Sequence, residues 1–349
     1  MRVVLAVLVV TTLVGCSSAH GPGRAETSSP KGHHKPSPGP SESAAASPQV
    51  PPAFSDVTCP SATTVHSAGD LSKALAAVHP GDAILLADGI YAGKFVATVS
   101  GTSAQPIFLC GGTGAVLDGG GIKAGYALHL DHASYWRLAG FTVRNAQKGV
   151  VLDASQHSVV QGLTVSDIGD EAIHVRTASS DNVVSGNTVH DTGKRRDKFG
   201  EGVYVGSAES NWCKYSKCGP DRSDRNLVRA NHISATTAES VDIKEGTSSG
   251  WLVDNTFDGS SLSGADSWVD VKGNGWLISG NTGHHSPLDG FQTHQVVAAW
   301  GAGNLFRANT ANVEGPGYGI NLTPVAGNSV TCDNRAPDAA KGLSNVACG

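Results

Sequence analysis

The chain has 349 residues, of which 39% are hydrophobic and 16% charged, and a formal net charge of −5. That length and apolar content suffice for a sizeable core, while the slightly acidic balance leaves no global footprint for nucleic acid. An anionic partner must therefore be held by a local cluster of basic groups.

Residues 1–15 read as a lipoprotein signal peptide, with Arg2 followed by an apolar run too short to span a membrane. The run ends in Leu13-Val-Gly-Cys16, which resembles the lipobox in which the cysteine becomes the lipidated N-terminus. The expectation is an exported, monomeric protein, anchored by lipid alone on the outer face of the bacterial cell membrane. Residues 16–53 are rich in Ser, Pro, Gly and Ala without apolar periodicity, and read as a disordered tether.

Residues 54–349 read as one elongated domain. Ser67 to His79 carries apolar residues at Leu71, Leu75 and Val78, a helical spacing that stops at Pro80-Gly81; this is the expected N-terminal amphipathic helix cap. From Tyr126 to Asn334 one short phrase recurs, as in Ala127-Leu-His-Leu130, Ala172-Ile-His-Val175, Ser240-Val-Asp-Ile243 and Trp268-Val-Asp-Val271. Each repeat closes on a turn residue in the column Gly140, Gly162, Asn187, Asn231, Asn255, Asn281, Asn309, Asn334, at spacings of 22 to 28 residues except one of 44. Fixed-period repetition of two or three short strands separated by Gly, Asn, Asp and Ser predicts a right-handed parallel β-helix solenoid. Its coils stack about 4.8 Å apart. Leu128, Val150, Ile173, Val203, Val241, Val269, Phe291 and Ile320 form the expected inner column, and the Asn column reads as a structural ladder at the corner.

With Cys16 set aside, six cysteines remain, an even number suited to disulfides in an exported chain. Sequence proximity pairs Cys213 with Cys218 and Cys332 with Cys348, leaving Cys59 for Cys110. No thiol pair has zinc-site spacing.

Chemistry concentrates on the outward side of the middle repeats. One outward column runs His129, Val151, His174, Tyr204, Asp242, Asp270, Gln292, Asn321. A second contains Asp131, Asp153, Arg176, Gly206, Lys244, Lys272, His294, and a third, at the strand entrance, Lys148, Glu171, Glu201, Glu239, Ser267, Asp289. This register stacks Asp242 on Asp270 and Lys244 on Lys272 at about 5 Å, while Asp–Lys neighbours along a strand are nearer 7 Å. At an effective dielectric of 20 that is roughly 3.3 kcal/mol of repulsion against about 2.4 of attraction. Such a pattern calls for a cation or an anionic ligand to offset it. The 44-residue spacing holds an insertion with Lys194-Arg-Arg-Asp-Lys-Phe199 and with Trp212 and Tyr215 between lysines, fitting loops that bind sugar acids through Lys194 and Arg195 and stack sugars on rings.

The segment Ala77 to Tyr91, followed by Ser100 to Ile107, resembles the N-terminal part of secreted β-helix proteins of polysaccharide lyase family six, the alginate lyases and chondroitinase B. That family places a metal-binding Glu five residues before a catalytic Lys, and Glu239-Ser-Val-Asp-Ile-Lys244 has this spacing. The chain departs from the family in having Val271-Lys272-Gly273 where an Arg-His-Gly type motif stands, and Thr237 where a paired acid stands.

The resemblance implies β-elimination on an anionic, uronate-containing polysaccharide. Ca2+ would be held by Glu201 and Glu239 with Asp242 or Asp270. Lys244 would remove the proton and Lys272 or His294 would protonate the leaving oxygen, with His174, Arg176 and Tyr204 positioning the substrate. A non-catalytic carbohydrate-binding surface lipoprotein and a β-helix glycoside hydrolase using Asp170 and Glu171 are the alternatives left open. Polygalacturonase and mannuronan-epimerase motifs are absent in their usual form, and a single Met argues against a copper role.

Overall fold

A computed structural model describes residues 50–123 and 125–349. The expected signal peptide, the expected lipidation site Cys16 and the expected tether up to residue 49 lie outside the described residues. The described chain is a parallel β-helix of three sheets, with every strand paired in parallel to its equivalent one coil away. Sheet I has nine strands, from Phe95–Ala97 to Ile320–Leu322; sheet II has eleven, from Thr63–Val65 to Ser329–Val330; sheet III has nine, from Gly89–Ala92 to Thr310–Asn312. Each coil runs from sheet I to II to III and back.

The register is the one the sequence columns require. Leu128, Val150, Ile173, Val203, Val241, Val269, Phe291 and Ile320 are consecutive partners in sheet I, and all are at most 1% exposed. Toward the C-terminal end the core becomes aromatic, with the Phe291 ring centre 6.3 Å from both Phe257 and Phe306 and 5.8 Å from Trp268. Gly283 occupies the next inward position after Phe257 in sheet III because the Trp268 ring fills that space; a Cβ there would lie 2.4 Å from the indole.

The corner between sheets II and III is an asparagine ladder. The amide nitrogen of Asn255 donates to Asn281 Oδ1 at 2.9 Å, Asn281 donates to Asn309 at 3.0 Å, and each also reaches a backbone carbonyl of the previous coil. These side chains are buried and fully partnered, so the column is structural.

Both ends of the solenoid are covered. The helix Ala68–Ala77 is capped by Ser67, whose hydroxyl accepts from the Asp70 backbone N–H, and it buries Leu71 and Leu75. At the other end the tail lays Ala336, Ala339, Leu343 and Val346 on the core, and Ile320 N–H donates to Leu343 O at 2.8 Å. All three expected disulfides are formed: Cys59–Cys110, Cys213–Cys218 and Cys332–Cys348. Residues 50–59 run along the outside of sheet II, from Val50, whose carbonyl accepts from Trp251 Nε1, past Gln161, bonded to Asp56 and Val57, to Cys59. Among the described residues no helix is long and apolar enough to cross a membrane.

Candidate active site on sheet I

The insertion within the 44-residue spacing divides into two loops on opposite edges of sheet I. Residues 191–201 precede the strand Val203–Val205 and residues 206–226 follow it. They wall the outward face on both sides, which is why that face is not a solvated ladder: Asp242 is 1% exposed, Glu201 4% and His174 4%.

The first wall rests on ion pairs. Lys194 lies 2.5 Å from Asp167, and Arg195 holds Asp170 with both nitrogens of its fork while Gln147 donates to the same carboxylate. Lys194 and Arg195 therefore anchor the wall. Thr237, at the position of the absent paired acid, bonds through its hydroxyl to Asp197 O in this wall.

The second wall is closed by Cys213–Cys218. Trp212 is turned inward and donates to Ser207 O, whereas Tyr215 lies over Arg176, 4.1 Å from guanidinium carbon to ring centre. Arg176 grips Asp153 at 2.6 and 2.9 Å and donates to the Tyr126 hydroxyl at 3.0 Å; its remaining terminal nitrogen is buried without a partner. Burial alone would raise Asp153, but the bonds from Arg176 and His129 outweigh it and hold this carboxyl well below the usual range.

His174 donates from Nε2 to Gly206 O at 3.0 Å and accepts at Nδ1 from Lys148, which also sits 2.7 Å from Glu171. Burial, then Lys148 and Arg176, push its pKa well down. It is a neutral, fully engaged ring that braces Tyr204, whose ring centre is 4.5 Å away. The Tyr204 hydroxyl has no hydrogen-bond partner among the described residues. Burial and the charges of Asp242, Glu201 and Glu171 raise its pKa well above the ordinary phenol value.

The stacked like charges are relieved within the chain. Asp242 and Asp270 are register partners as expected, but Lys272 leans back between them, 2.8 Å from Asp242 Oδ1 and 2.6 Å from Asp270 Oδ2. Lys244 sits 2.6 Å from Asp242 Oδ2. Burial would lower both lysines, yet Asp242 outweighs it, so both are raised and protonated at neutral pH. His294 Nδ1 lies 2.8 Å from Asp270, an arrangement that raises the imidazole and, despite burial, keeps Asp270 low.

In the entrance column Glu201 and Glu239 have no ion-pair partner among the described residues, in contrast to Glu171, which Lys148 holds. Carboxylate oxygens of Glu201, Glu239 and Asp242 lie within 4.8 Å of one another, and Glu201 Oε2 is buried with no partner. Burial first, then the neighbouring carboxylates, raise Glu201 well above its usual range and Glu239 to about 7. Three hard oxygen donors with one orphaned atom fit a divalent cation of the Ca2+ type. Asp270 stands outside this trio, committed to Lys272 and His294.

The geometry can be set beside known proteins. An alginate lyase from Paenibacillus sp. str. FPU-7 is 35% identical, with a TM-score of 0.76, over 81% of this chain and 97% of that one. The chain belongs to the β-helical polysaccharide lyase family of that enzyme. The description "Pel9A-like, right handed beta helix region" also matches residues 54–212 of this lyase-family chain. A polygalacturonase from Erwinia carotovora ssp. carotovora (11% identity, TM-score 0.56, 85% of this chain and 98% of that one) shares the fold. So does the enzymatically active domain of tailspike protein 2 from bacteriophage CBA120 (9% identity, TM-score 0.55, 78% and 40% of the two chains). No curated protein matches. The lyase relative at 35% identity supports a polysaccharide-degrading β-helix, whereas the polygalacturonase and the tailspike domain share the fold alone.

Sequence columns found every charged member of the cluster. They did not reveal that Tyr126, fifty positions before Arg176, shares its guanidinium, nor that the Tyr204 hydroxyl is left without a partner among the described residues.

Proposed function

We propose that this protein cleaves a uronate-containing polysaccharide by β-elimination in the groove of sheet I. The observation that carries the reading is the pairing, on neighbouring coils, of a free Tyr204 hydroxyl with the Lys244 ammonium 5.1 Å from its ring centre, inside a walled charge cluster of an alginate lyase relative.

Asp242 holds Lys244 as an ammonium in the free protein, so Lys244 becomes a base only after that proton has passed to solvent; the neutral amine then takes the proton at C5 of the uronate. The electron pair forms the C4–C5 double bond, the C4–O bond breaks, and the glycosidic oxygen leaves with the proton of Tyr204. Tyr204 suits this task better than Lys272 or His294, because its raised pKa keeps it protonated and its hydroxyl is uncommitted. Lys272 fixes Asp242 and Asp270, and His294 stands at the rim. The Tyr215 ring, stacked on Arg176, offers its other face to the neighbouring sugar. A cation of the Ca2+ type on Glu201, Glu239 and Asp242 would neutralise the uronate carboxylate and so make C5–H more acidic.

This reading includes export and a lipid anchor at Cys16 at the bacterial cell surface, supported by residues 1–16 of the sequence. The experiment is a panel of uronate polymers, alginate first, read by ultraviolet absorbance of the unsaturated product. New reducing ends without absorbance would replace elimination by hydrolysis, with Asp170 and Glu171 as the carboxylates to test; binding without any product would make the chain a lectin.

A further inference from the structure

Four coils N-terminal to Lys244, a cavity of about 540 Å3 opens beside the entrance edge of sheet I. It is lined by Lys94, Lys123, Asn145 and the turn Gly119–Gly121. At about 4.8 Å per coil it stands roughly 19 Å along the solenoid from Lys244. Its volume is in the range of sites that take a small ligand.

The cavity is built, and its charge is unbalanced. Gly119 N–H donates to Arg144 O and Gly121 N–H to Asn145 O, both near 2.9 Å, which fixes the turn. Lys94 lies across Gly125, where a Cβ would come within 2.9 Å of its Nζ. The carboxylate that adjoins the turn, Asp118, is already occupied by Arg144, Asn145 and the Gly120 N–H. Neither Lys94 nor Lys123 has a carboxylate at ion-pair distance among the described residues, in contrast to Lys148, Lys244 and Lys272.

We propose that this pocket is a distal subsite for the carboxylate of a sugar acid, so that an anionic polysaccharide bound at Lys244 is also held four coils away. This rests on the reading of sheet I as the polysaccharide groove. Two ammonium groups in a concave site attract an anion without a desolvated partner to displace. A polymer long enough to span both sites gains affinity that a trisaccharide does not.

The test compares wild type with K94A/K123A and K94E/K123E, with K73A on the exposed face of the cap helix as control. Electrophoresis through gels containing alginate or polygalacturonate measures binding without catalysis. The double variants should lose at least threefold in retardation, and KM for the polymer should rise by a similar factor with kcat and trisaccharide kinetics unchanged. Unchanged retardation and polymer KM overturn the proposal, as does an equal loss on the trisaccharide. If wild type is retarded through these lysines yet forms no product, elimination fails and the pocket stands; if wild type is not retarded by either polymer, the pocket fails too.

Discussion

Lys272 donates to Asp242 across one coil at 2.8 Å, so the two charges of this diagonal pair neutralise each other in the interior of the groove floor. Lys244 occupies the other oxygen of the same carboxylate. Replacing Asp242 by Ala therefore strands the Lys244 ammonium and leaves the buried Lys272 with Asp270 alone. The expected loss is about 3–5 kcal/mol, as for one partner removed from a buried pair. Denaturant unfolding measures it, and a loss under 1 kcal/mol would mean that the diagonal is not formed.

The asparagine ladder makes a separate prediction. Asn281→Ala removes the bond to Asn309 and leaves a buried acceptor of the previous coil, Leu252 O, without that donor. A cost of about 1–3 kcal/mol is expected. Asn→Ala at Asn211, exposed in the second wall, is the neutral comparison for the same thermal melts.

The raised carboxyl of Glu239 gives stability a pH dependence of definite sign. Its folded pKa of about 7 lies above the ordinary value of 4.5, so the folded chain holds a proton that the unfolded chain has lost. This contribution is fully present below 4.5 and is lost as pH rises through 7. The metal-free protein should thus melt lower at pH 8 than at pH 5.5, and Glu239→Gln should flatten that slope. Added Ca2+ should raise the melting temperature at pH 8 in wild type and much less in the variant. An unaltered slope in Glu239→Gln would remove this carboxyl from the account.

Cys16→Ala should release the protein from the membrane fraction. Undiminished retention of that variant contradicts a lipid anchor.

The fold was legible because a solenoid writes its register in the sequence: the inner valines, the Asn corner and the outward columns recur at a fixed period, and sheet pairing preserves that period. The charged columns were legible for the same reason. Side-chain direction was not. The expected clash of Asp242 with Asp270 assumes that each side chain stays on its own coil, whereas the long Lys272 stem reaches back and resolves it. The roles of Lys194 and Arg195 were hidden likewise, since their partners Asp167 and Asp170 are 27 and 25 positions earlier, at the end of the strand Thr164–Ile168 and in the bend after it, outside the repeated columns that align the charges.

The central claim is that Lys244 and Tyr204 act as base and acid on a uronate. The most direct measurement is the rate of unsaturated product formation from alginate by wild type, Lys244→Ala and Tyr204→Phe, with binding to the polymer measured in parallel. Each variant should lose at least a hundredfold in kcat, as expected for removal of general acid–base catalysis, while keeping polymer affinity within a few fold. Either variant turning over at the wild-type rate would contradict the account.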